Sequence, residues 1–308
     1  MLDRAAWRAG VLRLTDASRF FAAGPVNVLR FARLAARTRF AVDPETVRAA
    51  RAAVPGPVSP RLLREGLTAL LTGRDPAAGL QFCRECGLLA RFLPEVDALH
   101  GVEQPPQFHP EGDVWTHTLL LLEHLFAPDA VLAWSALLHD IGKPVTQSRD
   151  ADGRIRFFNH EHVGAAMADK LCARLGFPAE VRERIVRAVA GHMRLCNTRA
   201  MRPATVERLL ETPDFPLALE LMRLDCMACH GLLTDYLFLL DAWAEKAARP
   251  VLPAPLLRGD DLLALGLKPS PRFGAILRQV YEKQRSGGLS DRAAALEYVK
   301  KLLETGSN

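Results

Sequence analysis

Apolar residues recur every three or four positions through most of the chain, and this helical period, not the alternation of a strand, sets the expected fold. From Pro25 to Phe40, PVNVLRFARLAARTRF puts Val28, Leu29, Ala32, Leu34 and Ala36 on a broad apolar face, with Arg30, Arg33 and Arg37 at helical spacing on another. Asp43-Pro-Glu-Thr then has the form of a helix cap with proline at an early helical position. The breaker cluster PGPVSP (55–60) precedes a helix over about 61–71, and AGLQFCRECGLLARFLPEV (78–96) reads as one further helix. The prolines and glycines of HGVEQPPQFHPEGD (100–113) make it a loop. Helices are predicted at about 113–126, 129–140, 161–175, 178–193, 202–212 and 214–230, with a turn at Asp152-Gly153 between the second and third. LLTDYLFLLDAWAEKAA (232–248) is a helix ended by the Pro250–Pro255 breakers, and three short helices punctuated by Gly and Pro follow. The expected class is all-α and multi-helical, in three blocks: 1–95, 96–248 and 249–308. No internal repeat or low-complexity tract interrupts it.

Composition sharpens this picture only in part. With 49% hydrophobic residues, 308 residues suffice for well-packed cores. No signal peptide, acyl-anchor motif or bilayer-length apolar run is present, so a cytoplasmic protein with no membrane partner is expected. The six cysteines then read as free thiols. The net charge of +5 is uneven: residues 1–75 hold thirteen Arg, no Lys and six acidic groups, which leaves the remainder at −2. A basic end on a near-neutral body suits a polyanion such as RNA, and Arg30, Arg33 and Arg37 are the candidate contacts. Ordinary solvated arginine faces would look the same.

The candidate chemistry lies in the apolar helices. His117, the doublet His139-Asp140, His160, His192 and Asp225 are imidazoles and carboxylates planted in greasy segments, where each is costly unless paired. A divalent transition metal pairs them, since neutral imidazole and carboxylate are its natural ligands. Mn, Fe, Ni, Co or Zn suits the set, as one ion or two, and Mg suits several imidazoles less well. Asp140 can bridge two ions through its two oxygens, and it is the expected catalytic centre with Lys143. With one ion, His117, His139, Asp140 and Asp225 form the quartet. A water acidified by the ions would attack phosphorus in line. Lys143 either steadies a phosphate oxygen or meets a helix dipole. Arg154 and Arg156 are candidates to clamp a phosphate, and His109 is a candidate pocket residue. His162, two residues from His160, points to another face and supports the helix or an outer layer of the site. His124 and His230 are assigned to packing and His100 to a loop. The Cys83/Cys86 and Cys226/Cys229 pairs sit in apolar helical sequence and are read as packing, not as a zinc ribbon.

The order H…HD…H…H…D, with Ile141, Gly142 and Lys143 completing HDIGK, resembles the HD superfamily of metal-dependent phosphohydrolases. More of the chain is similar to the helical part of HD-bearing bacterial CCA-adding tRNA nucleotidyltransferases. GPVNVLRFARLAARTRFAVDPETV resembles their neck, FLPEVDAL, HPEGDVWTHT, HDIGK and FFNHEHVGA their HD domain, and GDDLLALGLKPSPRFGAIL their tRNA-binding tail. In that resemblance His160, not His162, holds the ligand position. Two departures stand out. The family's catalytic head has no counterpart here, Met1 falling about where it would end. The neck signature Glu-Asp-Pro-x-Arg reads Ala23-Gly24-Pro25-Val26-Asn27, without the carboxylate and guanidinium that would read a base edge. The Glu-Arg pair of the next neck helix likewise reads Arg61-Leu62.

The expected function is therefore a metal-dependent phosphohydrolase acting on a nucleotide, cyclic phosphate or RNA-terminal phosphate. The alternatives are a non-catalytic tRNA-binding protein and the helical subunit of a split CCA-adding enzyme. The 308-residue polypeptide is expected to transfer no CMP or AMP to tRNA. Lengthening of a labelled tRNA by the pure protein would overturn that expectation.

Overall fold

The computed structural model describes residues 1–248 and 254–305, so the breaker residues 250–253 lie outside the described residues. The fold is helical, as the periodicity predicts. Three helices of the front half begin where a short polar side chain meets a proline: Asp43 before Pro44–Ala53, Ser59 before Pro60–Leu71 and Asp75 before Pro76–Glu85. Each of these side chains accepts a hydrogen bond from a first-turn backbone N–H, which would otherwise go unpaired. Burial alone would raise the Asp43 carboxyl pKa, but bonds from Thr46 and Arg13 outweigh it and hold it low. Pro25–Thr38 buries Val28, Leu29, Phe31, Ala32, Ala35 and Ala36, while Leu34 is only half-buried because the true face runs through Phe31 and Ala35.

Three expectations need correction. The segment 78–96 is not one helix but Pro76–Glu85, Leu88–Phe92 and Pro94–Asp97. Gly87 adopts φ +78 between the first two, and Pro94 opens the third, so the chain turns at the punctuation inside the run. The Asp152-Gly153 turn closes a hairpin in which Gln147–Arg149 pairs antiparallel with Ile155–Phe157. A second pair, Val11–Leu12 with Ala41–Val42, is parallel and only two residues long. In the last block, the helices Pro271–Arg285 and Arg292–Thr305 are full-length, not short.

The chain forms two compact units, Met1–Trp243 and Ala244–Asn308. In the first, one continuous buried cluster extends from Leu12 to Ala228, so the neck-like front and the histidine-bearing helices share a core. Its cross-ties are specific. Trp134 donates its indole N–H to Thr68 (2.9 Å), and Trp115 donates to Gln81 (3.2 Å). A smaller cluster gathers Leu195, Val206, Leu210, Phe215, Leu219, Met222 and Leu239. In the second unit Leu257, Leu262, Ile276, Val280, Leu289, Ala295 and Val299 pack together. Among the described residues no helix is long and apolar enough to cross a membrane.

Two glycines are required by the backbone, one of them where the histidine-bearing helices touch. Gly142 lies against the first turn of His160–Arg174, and a Cβ there would meet the His160 carbonyl oxygen at 2.1 Å and the Gly164 nitrogen at 2.7 Å. Both obstacles are backbone, so nothing can swing aside. At the front, Gly24 caps the Pro25–Thr38 helix with φ +72 and ψ −150, a region open essentially to glycine alone. Gly142→Ala should cost about 3 kcal/mol or more of stability by forcing this helix outward. Denaturant unfolding checks it, and a loss under about 1 kcal/mol would show that the close approach is not a constraint.

Candidate metal centre

Four imidazoles face one another, each anchored through Nδ1. His139 bonds the Ala136 carbonyl (2.8 Å), His160 that of Phe157 (2.9 Å) and His192 that of Val189 (2.7 Å). A carbonyl oxygen only accepts, so Nδ1 carries the hydrogen and the neutral ring turns the Nε2 lone pair inward. His117 differs, since its Nδ1 meets a carboxylate, Glu111 Oε1, at 2.7 Å. The positions follow from the helix ends. His117 lies inside Val114–Glu123, whose N-cap is Asp113, and His139 follows Ala130–Leu138. His160 opens its helix, and His192 follows Ala179–Gly191 to begin a tight turn through Leu195.

The Nε2 atoms pair off. His117 and His139 are 3.3 Å apart, and His160 and His192 3.2 Å. Two nitrogens each about 2.1 Å from one ion, at tetrahedral or octahedral angles, would be about 3.0–3.4 Å apart. Between the pairs stands Asp140, 2% exposed. Its Oδ2 lies 3.1 Å from His139 Nε2 and 4.0 Å from His117 Nε2; its Oδ1 lies 3.4 Å from His160 and 3.7 Å from His192. Lys143 Nζ pairs with Oδ2 at 2.7 Å, while Oδ1 has no hydrogen-bond donor among the described residues. Asp225 Oδ1 completes the first side, 3.0 Å from His117 Nε2. Two donor sets flank Asp140, His117/His139/Asp225 and Asp140/His160/His192, each with its donor atoms within 4.8 Å of one another, and a third such group is His109/Glu111/His117 behind the first. A buried carboxylate whose two oxygens each face a pair of imidazoles fits a cation.

The electrostatics agree. Burial works against charge on His117, but the carboxylates of Asp225 and Glu111 outweigh it and raise its pKa to about 9. Ion entry must therefore displace a proton. Burial drives His192 down to about 4 despite the pull of Asp140, which keeps it neutral. For Asp140 burial opposes ionisation, yet His139 and Lys143 hold the carboxyl far below its usual range. Asp225 is likewise held low by His117 against burial.

The other candidate residues divide. Lys143 is buried, with Nζ 2.7 Å from Asp140 Oδ2 and 2.6 Å from Gln104 Oε1. His109 reaches the edge of the centre, its Nδ1 2.9 Å from Glu111 Oε1. Arg154 and Arg156 are not brought in: Arg154 is exposed, and Arg156 pairs with Asp150 at 2.9 Å within the hairpin. The His162 side chain is 70% exposed, and its one ion-pair contact among the described residues is Glu161 at 3.9 Å, so it is not brought into the cluster. Arg30 and Arg37 are exposed and Arg33 half-buried on the front helix. His230 is exposed, not packed, and accepts a hydrogen bond from Leu232 N–H. Cys83 and Cys86 are buried free thiols whose pKa burial raises, and among the described residues no cysteine joins a metal-capable group. Glu111 and Gln104 escaped sequence reasoning. They lie in an irregular loop without periodicity, and their one signal is that Glu111 falls between His109 and His117.

The HD domain profile matches residues 113–228, which carry all six converging side chains. The A-adding tRNA nucleotidyltransferase of Deinococcus radiodurans is 33% identical over 303 residues, covering 92% of this chain and 69% of that protein. The multifunctional CCA protein of Alkalilimnicola ehrlichii is 38% identical over 210 residues, 65% of this chain and 50% of that protein. The chain thus spans about half the length of the multifunctional CCA proteins it matches. In fold it is similar to the crystal structure of the Bacillus stearothermophilus CCA-adding enzyme in complex with CTP, with TM-score 0.51 and 16% identity over 98% of this chain and 69% of that one. An HD domain set in a chain aligned almost end to end with such a relative makes this protein a member of the HD-bearing tRNA nucleotidyltransferase family.

Proposed function

We propose that the chain is a metal-dependent phosphohydrolase, a phosphomonoesterase or cyclic phosphodiesterase, acting on a nucleotide or an RNA-terminal phosphate. The observation that carries this reading is Asp140, whose two buried oxygens face one histidine pair each. His117, His139, Asp225 and Asp140 would hold one divalent transition ion, and His160, His192 and Asp140 a second. Bound ions supply Lewis-acid polarisation of a phosphoryl group and an acidified water. Lys143, now paired with Asp140 and Gln104, would take a phosphoryl oxygen, and His109 lies on the other side of Glu111.

tRNA is the proposed macromolecular partner, on the strength of the relatives' names and the arginine-rich front. A second reading, tRNA binding without hydrolysis, has the same support. Nucleotide selection by this neck is disfavoured by its geometry. Asn27 spends its side chain locally, donating to the Phe20 carbonyl (2.5 Å) and accepting from Arg30 (2.9 Å). Gly24 presents no side chain at all.

Asp140→Asn should lose bound metal and reduce phosphate release by orders of magnitude, because the charge that holds two dications together is gone. His162→Ala should keep both metal and most activity. Elemental mass spectrometry and a phosphatase and cyclic-phosphodiesterase panel under several metals decide it, and full activity in Asp140→Asn would refute the hydrolase reading. Replacing Arg30, Arg33 and Arg37 by Ala should weaken tRNA binding and flatten its salt slope by up to about 3 in log–log units. Unchanged salt dependence would remove this helix from the interface.

A further inference from the structure

The four histidines are not anchored alike. Three rest on backbone carbonyls three residues earlier in the chain, a purely local contact supplied by the turn that precedes each ring. His117 rests instead on a side chain from another element, whereas the carboxylate near His160 Nδ1, Glu161 of its own helix, stands off at 3.5 Å. Glu111 belongs to the 100–113 loop, is 5% exposed, and uses one oxygen, Oε1, to accept from both His117 Nδ1 (2.7 Å) and His109 Nδ1 (2.9 Å). Its other oxygen is buried and without a donor, so the carboxylate is committed to these two rings.

A carboxylate behind an imidazole does more than a carbonyl does. It fixes the tautomer, and it also pushes electron density through the ring, which makes Nε2 a stronger donor to an ion. The half of the centre served by that nitrogen also has the larger donor set. His117, His139, Asp225 and Asp140 Oδ2 surround one position; only His160, His192 and Asp140 Oδ1 surround the other.

We propose that Glu111 is a positioning residue that makes the two halves unequal, so that the His117 half takes up its ion first and more tightly. This inference rests on the metal reading above. The bond from His109 to the same oxygen ties that tighter half to the loop, and the His160/His192 half has no such tether.

The test is calorimetric titration of the metal-stripped full chain with Zn2+, in two backgrounds that each leave one half intact. In a His160→Ala background, Glu111→Gln should weaken zinc binding by about 10- to 100-fold. In a His117→Ala background the same change should leave zinc affinity within about twofold, since its carbonyl-anchored rings do not depend on Glu111. Equal losses in both would reduce Glu111 to a general structural residue, and no loss in either would overturn the proposal. A second readout is independent of metal. In the stripped protein the His117 Nδ1–H resonance should shift on Glu111→Gln, while those of His139, His160 and His192 hold. An unmoved His117 signal overturns the positioning role by itself. Absence of zinc binding by the unaltered chain sinks the metal reading while the nuclear resonance result still judges the Glu111–His117 bond.

Discussion

A carboxylate held ionised at the meeting point of several helices is the constraint on which the first unit turns. Asp140 is buried from every side, and an isolated charge at that depth would cost far more than a domain's whole net stability. It persists because His139, His192 and Lys143 favour its ionised form. His139 and Lys143 belong to its own stretch, but His160 and His192 reach its other oxygen from two further helices, so the full arrangement forms only when those helices have docked. The apolar faces bring the helices together; the carboxylate dictates how they must meet. Packing alone would tolerate many small slips of one helix along another, whereas this cluster tolerates few.

The front of the molecule serves the same end. A single buried cluster runs from the neck-like helices into the histidine-bearing ones, with Trp134 bonded to Thr68 and Trp115 to Gln81 across the join. The helix that carries His117 is therefore positioned from behind by the front half of the chain. Damage to the front helices would reach the histidine cluster through packing, with no shared side chain. The arginine face of Pro25–Thr38 is the other side of a helix whose inner side belongs to this common core.

Much of this was legible beforehand, for reasons that can be named. Helical periodicity, polar caps and prolines located the elements, and six ionisable residues in apolar stretches announced that something must compensate them. The hairpin at 147–157 was not legible, because strands of three residues carry no measurable alternation and are formed by the turn between them. The helix through 78–96 was misread by letting periodicity outvote Gly87, which takes a left-handed conformation there. Arg156 looked available for a phosphate, but a sequence does not show that Asp150 will fold back to meet it. Glu111 and Gln104 were invisible for a deeper reason. They act through distance in space from a loop with no period, and only coordinates supply that.

Gly24 limits what the start of the front helix can become. Its backbone sits at φ +72 and ψ −150, and an aspartate placed there would adopt a conformation that costs about 1–3 kcal/mol for any residue but glycine. The neighbouring Asn27 side chain is already held in hydrogen bonds to Phe20 and Arg30. A carboxylate engineered at position 24 would therefore have to remodel the helix start as well as change the side chain.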